Sequence, residues 1–386
     1  MKRPLQIVVV VLVVIVAVPL FFYLRWAFQE KRPLNVLVLN KTVPSIERET
    51  HRSLFWILNN NRFVKRDGGS TYSYKKDYYG FFPLTPVRER QYKKRDYRLT
   101  ELPDLYDNYD ALYFADTYGV FFDDWYSVSR SRTRRSRLIY GGLNSNDRLL
   151  MSEMQQRGKL VILEYNSFDY PTPDLERFMV EEMLGIESTG WTGRYFSTLD
   201  TLRGSDLPLW MTSIYRRHTG RAWNYSKPGI VLVSNNQIVV LEYETHLLEE
   251  YPFIETRDNY AERFGVEGSV PFDRWFQVIY PGDTEVISNF RIKTTSEGEM
   301  LLADHLLQNR FPAVISNPAG LNTWYFAGDF ATNDIPYLSS YFYRLPLMER
   351  LRYSSDINDP RRFFWLYYRP LVTTIFSDYK GSIQGR

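Results

Sequence analysis

Three acids in this sequence stand where chemistry is expected. Asp116, Glu164 and Asp329 each close a short apolar run: Asp110-Ala-Leu-Tyr-Phe-Ala-Asp116, Lys159-Leu-Val-Ile-Leu-Glu164 and Asn322-Thr-Trp-Tyr-Phe-Ala-Gly-Asp329. Runs of this kind read as buried strands of a parallel sheet, and ligands gather at the carboxyl ends of such strands. Two carboxylates flanking one bond can move protons on and off it, as in glycoside hydrolysis. Three could hold a hard cation. Acids at strand ends also cap the loops that follow them. The expected catalytic set is therefore Asp116, Glu164 and Asp329, with no metal assigned. Tyr118 and Asn166 lie just past two of these strand ends and join the ligand-binding set.

Thr189-Gly-Trp-Thr-Gly-Arg-Tyr195 supplies two further members. Trp191 between two glycines could stack on a sugar ring, or plug the core. Arg194 could pair with a carboxylate or phosphate. His51 completes the set, near the start of the first helix after the opening strand. The four histidines are far apart and lack metal-ligand spacing, and the chain has no cysteine. Thiolate metal sites, disulfides and cysteine nucleophiles are excluded. No glycine-rich phosphate loop, GxSxG elbow or kinase signature occurs, so no cofactor is expected.

The elements that must position these residues follow from the apolar pattern. Leu34 to Asn40 reads as a first buried strand, and Ile46 to Asn60 as an amphipathic helix. Helices are expected over Asp147 to Gln156 and from Thr172-Pro-Asp-Leu-Glu176 to about Gly185. This alternation predicts an α/β fold, with a flavodoxin-like parallel sheet and crossover helices over residues 33–204. Gly229 to Leu241 holds two apolar runs around Asn235-Asn236, a hairpin signal. Residues 205–305 are thus expected to form a β-rich insertion or second domain. Residues 306–386 are expected to return to the sheet and end in an aromatic helix.

Ile7 to Leu24 is uncharged, and reads as a transmembrane signal-anchor over residues 5–26. It predicts a single-pass membrane protein with a cytoplasmic N-terminus and an extracytoplasmic body. A cleaved signal peptide is the rival reading. The Arg130–Arg137 run reads as a solvated loop, or as a contact for anionic lipid or an acidic polymer. Net charge is only +3, so a nucleic-acid partner is not expected. The aromatic content of 17% suits surfaces that stack on sugars or lipid headgroups.

The order of the runs Asn35-Val-Leu-Val-Leu-Asn40, Tyr109 to Asp116, Gly158 to Glu164 and Asn322 to Asp329 is similar to that of the class I glutamine amidotransferase-like superfamily. The resemblance covers residues 36–190 and 310–335. It implies a flavodoxin-like fold and a degenerate member, because working amidotransferases need a nucleophilic Cys that this chain lacks. No catalytic residue carries over.

Two functions are then expected. One is a membrane-anchored protein that binds or processes a carbohydrate polymer in envelope or exopolysaccharide synthesis. The other is a non-enzymatic assembly subunit of a membrane complex. The expected partners are the lipid bilayer, a polysaccharide and other membrane proteins.

Overall fold

The structure is a computed structural model. It describes residues 2–126, 136–168, 170–201, 206–317, 322–353 and 358–384, with side chains from Ile15 onward. Most of the arginine-rich run at 130–137 lies outside the described residues.

The centre of the fold is a ten-stranded sheet. Its chain-ordered strands are β1 (Val36–Asn40), β2 (Tyr79–Pro83), β3 (Tyr92–Arg95), β4 (Ala111–Asp116) and β5 (Leu160–Glu164). Strand β6 (Ile186–Phe196) leaves for a second sheet with β7 (Gly229–Ser234) and β8 (Gln237–Glu242). The chain then adds β9 (Phe253–Thr256) and β10 (Ser269–Pro271) to the large sheet and β11 (Phe276–Pro281) to the small one. Finally β12 (Glu285–Arg291), β13 (Arg310–Asn317) and β14 (Thr323–Phe326) complete the large sheet. The spatial order is β10-β9-β12-β13-β14-β5-β4-β1-β2-β3, beside a four-stranded sheet β8-β7-β6-β11.

This corrects the expectation of a flavodoxin-like parallel sheet. Only the middle is parallel: β14, β5, β4, β1 and β2 run together, while the pairs on either flank are antiparallel. The parallel strands are built from short apolar runs, and β1 and β5 are buried along their whole length. The flanks are hairpin-like additions. Their residue patterns specify a strand, but not which sheet edge receives it. Helices α1 (Glu49–Asn60) and α2 (Ser145–Gln156) follow β1 and precede β5, and each presents an apolar face to the core.

The membrane anchor and the single-pass location are also corrected. Among the described residues, no helix is long and apolar enough to cross a membrane. Residues 1–14, with much of the expected span, are outside the described side chains. The N-terminal helix runs over Lys2–Ala27. The end of this helix is docked on the body. Trp26 is buried, donates its indole N–H to the Asn59 carbonyl at 3.0 Å, and meets the Tyr341 ring edge-on at 4.8 Å.

The chain closes with a buried π-helix, Phe363–Tyr368, that runs into α3 (Arg369–Gln384). π-turns widen a helix by one residue and recur at functional sites. This one sends the neighbouring tyrosines to different partners. Tyr367 donates to Ser288 Oγ at 2.7 Å, while the Tyr368 hydroxyl meets that of Tyr113 at 2.9 Å.

Candidate functional site

Parallel pairing brings the acids to one edge. Asn40 stands beside Asp116 at the ends of β1 and β4, and Phe326 pairs with Glu164 across β14 and β5. Asp329 follows three residues after Phe326, with its N–H bonded to the Trp275 carbonyl at 2.9 Å. The three carboxyls nevertheless have different surroundings.

Glu164 is fully buried and turned into the core. One carboxyl oxygen accepts from the Phe330 and Ala331 N–H groups, both at 2.9 Å. The other meets the Tyr113 hydroxyl, with Tyr368 at 3.4 Å. Burial pushes this carboxyl well above the ordinary carboxylate range, and the negative field of Asp329 adds to the shift. Its hydrogen bonds oppose it.

Asp116 is half-buried at the mouth of the edge. Its Oδ1 accepts from Thr42 Oγ1 at 2.6 Å and from the Tyr118 N–H at 2.7 Å. Burial raises the carboxyl to about 7, with Asp329 again raising and Thr42, Tyr118 and Asn166 lowering it. Asp329, also half-buried, is raised by burial while Arg274 and Arg194 pull it down. A carboxyl balanced near 7 beside a second carboxyl is a group that can give or take a proton at neutral pH.

Thr42 is itself held by the Gly119 N–H, which donates to its Oγ1 at 2.7 Å. Gly119 has φ +98°, and a Cβ there would fall 2.1 Å from the Tyr140 carbonyl oxygen. The position admits only glycine. Gly119→Ala is expected to lower stability by about 2 kcal/mol or more, as a backbone clash does. Thermal unfolding checks this, and a melting temperature equal to the parent's would refute it.

The ligand-binding set is scattered. Tyr118 and Asn166 stay at the edge; Asn166 adopts φ +63° and bonds to Asp116. Arg194 faces the same side through its charge on Asp329, but its guanidinium is paired with Asp206 at 2.5 Å. Trp191 is 6% exposed, seated beside a β-bulge and edge-on to His305 at 5.7 Å. It fills the core. His51 is fully buried, with Nδ1 bonded to the Asn40 amide and Nε2 to the Tyr74 carbonyl, both at 2.8 Å. Burial lowers its pKa to about 3, so the ring stays neutral, accepting at Nδ1 and donating at Nε2.

Sequence reasoning passed over Arg274, Tyr113 and Tyr368. Arg274 lies in the aromatic run Phe272-Asp-Arg-Trp-Phe276, and an Asp-Arg pair inside such a run was the one available signal. Tyr368 is more than 200 residues from Glu164, and no spacing announces their contact. Two cavities of the protein are lined by other residues, away from the three acids. Among the described residues, no cluster of His, Asp or Glu is arranged to hold a metal ion.

No family model matches the chain, and no curated protein matches it. Among solved structures, a ThuA-like protein from Bacteroides uniformis is a distant neighbour, at 11% identity and a TM-score of 0.34. The match covers 87% of this chain and 97% of that one. A likeness this loose carries no argument about the site.

Proposed function

We propose that this protein binds or processes a carbohydrate polymer at the carboxyl edge of its parallel strands, with Asp116 as the proton carrier. The observation that supports this reading most is the Asp116 carboxyl, raised to about 7 and electrostatically linked to Asp329. Glycan chemistry needs one carboxyl that holds its proton near neutral pH and a second that does not act identically. Two half-buried aromatic residues are tied to the pair through their backbones. Tyr118 is bonded through its N–H to Asp116, and Trp275 accepts the Asp329 N–H. Their flat faces suit the apolar side of a sugar ring.

The test is incubation with a panel of polysaccharides, with new reducing ends and released acyl groups quantified. The expected result is a product whose rate falls above pH 7, as Asp116 loses its proton. Asp116→Asn should lower that rate by at least 100-fold, the usual scale of a general acid or base, while the protein stays folded. A product formed equally well by Asp116→Asn would remove the residue from the chemistry.

A second reading is a non-enzymatic assembly subunit built on a degenerate amidotransferase-like domain. It is favoured by the burial of Trp191 and His51, which leaves the edge with few ligand-facing groups. A stable partner recovered on gentle purification, together with no product from any glycan, would select it.

A further inference from the structure

A second feature lies beside the first helix, remote in sequence from the strand-end acids. A cavity of about 600 Å³ is lined by Arg32, Arg62, Arg344, Arg350 and Arg369, with Glu30 as its acidic member. Among the described residues none of the five arginines makes an ion pair, although many other cations of this protein do. Glu30 acts on Arg32 only through its field.

The guanidinium groups are held in place by other means. Arg62 is 6% exposed, lies over the Trp26 ring at 4.3 Å and donates one bond, at 3.2 Å, to the Ala27 carbonyl. Arg32 lies over the Phe63 ring at 4.5 Å and donates to Ser377 Oγ at 3.0 Å. Arg344 sits at φ +59°, a conformation uncommon for a residue with a long side chain. The buried Nε atoms of both Arg62 and Arg369 have no hydrogen-bond acceptor.

An arginine side chain keeps its proton throughout the physiological range, so the cavity cannot relieve its charge by titrating. Burial and the neighbouring Arg350 lower the Arg369 pKa to about 10, still far above neutrality. Like charges gathered at one cavity repel, and a buried N–H without an acceptor costs about 1–3 kcal/mol. A multivalent oxyanion removes both costs at once. Planar forks of N–H donors match phosphate oxygens two at a time. Five arginines against one glutamate call for an anion of several charges, and the volume exceeds that of a single phosphate.

We propose that this cavity is a binding site for a diphosphate group, carried by a ligand that occupies the remaining volume. The π-helix is part of its construction. The same widened turn that directs Tyr368 to Glu164 places the next residue, Arg369, on the wall of the cavity. The site is separate from the Asp116 edge, so its failure or success is independent of the carbohydrate reading.

The test uses the full chain, with inorganic pyrophosphate as the probe in a calorimetric titration at physiological salt. Saturable binding is expected. Arg350→Gln, at an exposed position, should weaken it at least tenfold without lowering the melting temperature, as should Arg344→Gln. Arg221→Gln, at an exposed arginine away from the cavity, should leave it unchanged. Sulfate at the same ionic strength should compete poorly. In a parallel arm, vesicles of phosphatidylcholine and diacylglycerol pyrophosphate ask whether the diphosphate comes from a lipid headgroup. Vesicle binding lost in the same two variants supports the phosphate chemistry with a lipid source; saturable pyrophosphate binding supports it with a soluble one. Binding in neither arm overturns the proposal. So does binding that the cavity variants and Arg221→Gln weaken alike, which marks general charge attraction.

Discussion

Replacing Glu164 by alanine is expected to cost about 4 kcal/mol of folding stability. The reason is the asymmetry of buried hydrogen bonds. Removing the carboxyl leaves the Phe330 and Ala331 N–H groups without their acceptor in a dry interior. Each orphaned donor costs about 1–3 kcal/mol, and the emptied volume adds to that. The Tyr113 and Tyr368 hydroxyls keep the 2.9 Å bond between them, which satisfies one of their two O–H donors and leaves the other without an acceptor. Glu164→Gln keeps an oxygen for the two N–H groups and should cost about 1 kcal/mol or less.

The two variants also separate packing from charge. The folded-state pKa of Glu164 is raised, so the folded protein holds this proton to higher pH than the unfolded chain does. The resulting stability is complete below the unfolded value of about 4.3 and is lost as pH rises towards the folded value. Glutamine has no proton to lose. Against the parent, Glu164→Gln should therefore gain by up to about 1.4 kcal/mol per pH unit on going up from pH 4.3. Denaturant unfolding at a series of pH values reads this directly. A constant difference between the two proteins would show that Glu164 is as ionised in the fold as outside it.

The second large effect belongs to Lys41. Its ammonium is buried, 2.6 Å from Asp147 Oδ2 and 2.8 Å from the Gly142 carbonyl. Asp147 is buried too. Oδ1 accepts from the Tyr97 hydroxyl at 2.6 Å, and Oδ2 from the Asn144 N–H at 2.9 Å, where it closes the start of α2. Lys41→Met removes the cation and leaves the carboxylate in the core. The expected cost is about 3–5 kcal/mol, the penalty for an uncompensated buried charge rather than the worth of the pair. Adding Asp147→Asn should return part of that loss, because the amide keeps an acceptor oxygen and carries no charge. A double-mutant cycle measures the coupling. Strictly additive losses would mean that the pair contributes nothing beyond its separate members.

These two residues also show why the candidate site was only partly legible in the chain. Lys41 and Glu164 both stand at ends of predicted strands, and nothing in their neighbours distinguishes them from Asp116. The fold turns Glu164 inward beneath Phe330 and Tyr368, ties Lys41 to a helix start more than 100 residues on, and leaves Asp116 at the mouth. Orientation at a strand end depends on the loop that follows and on what packs over it. Trp191 illustrates the same limit, since its flanking glycines fit a mobile loop and a bulged strand equally well.

What the sequence determined by itself was local. Runs of Val, Leu and Ile with aromatic companions become strands at Val36–Asn40, Ala111–Asp116, Leu160–Glu164 and Thr323–Phe326, because such residues suit a pleated, fully buried segment. The absence of cysteine likewise ruled out thiol chemistry at once. The tertiary structure alone decided the partners. It set antiparallel strands on both flanks of the parallel centre, and docked Trp26 on the body where an apolar run had promised a membrane span. It also gathered arginines from positions 32, 62, 344, 350 and 369 around one cavity. Strand and helix preferences act over a few residues. Edge pairing, burial of a charge and convergence of like charges are settled only when distant segments compete for the same space.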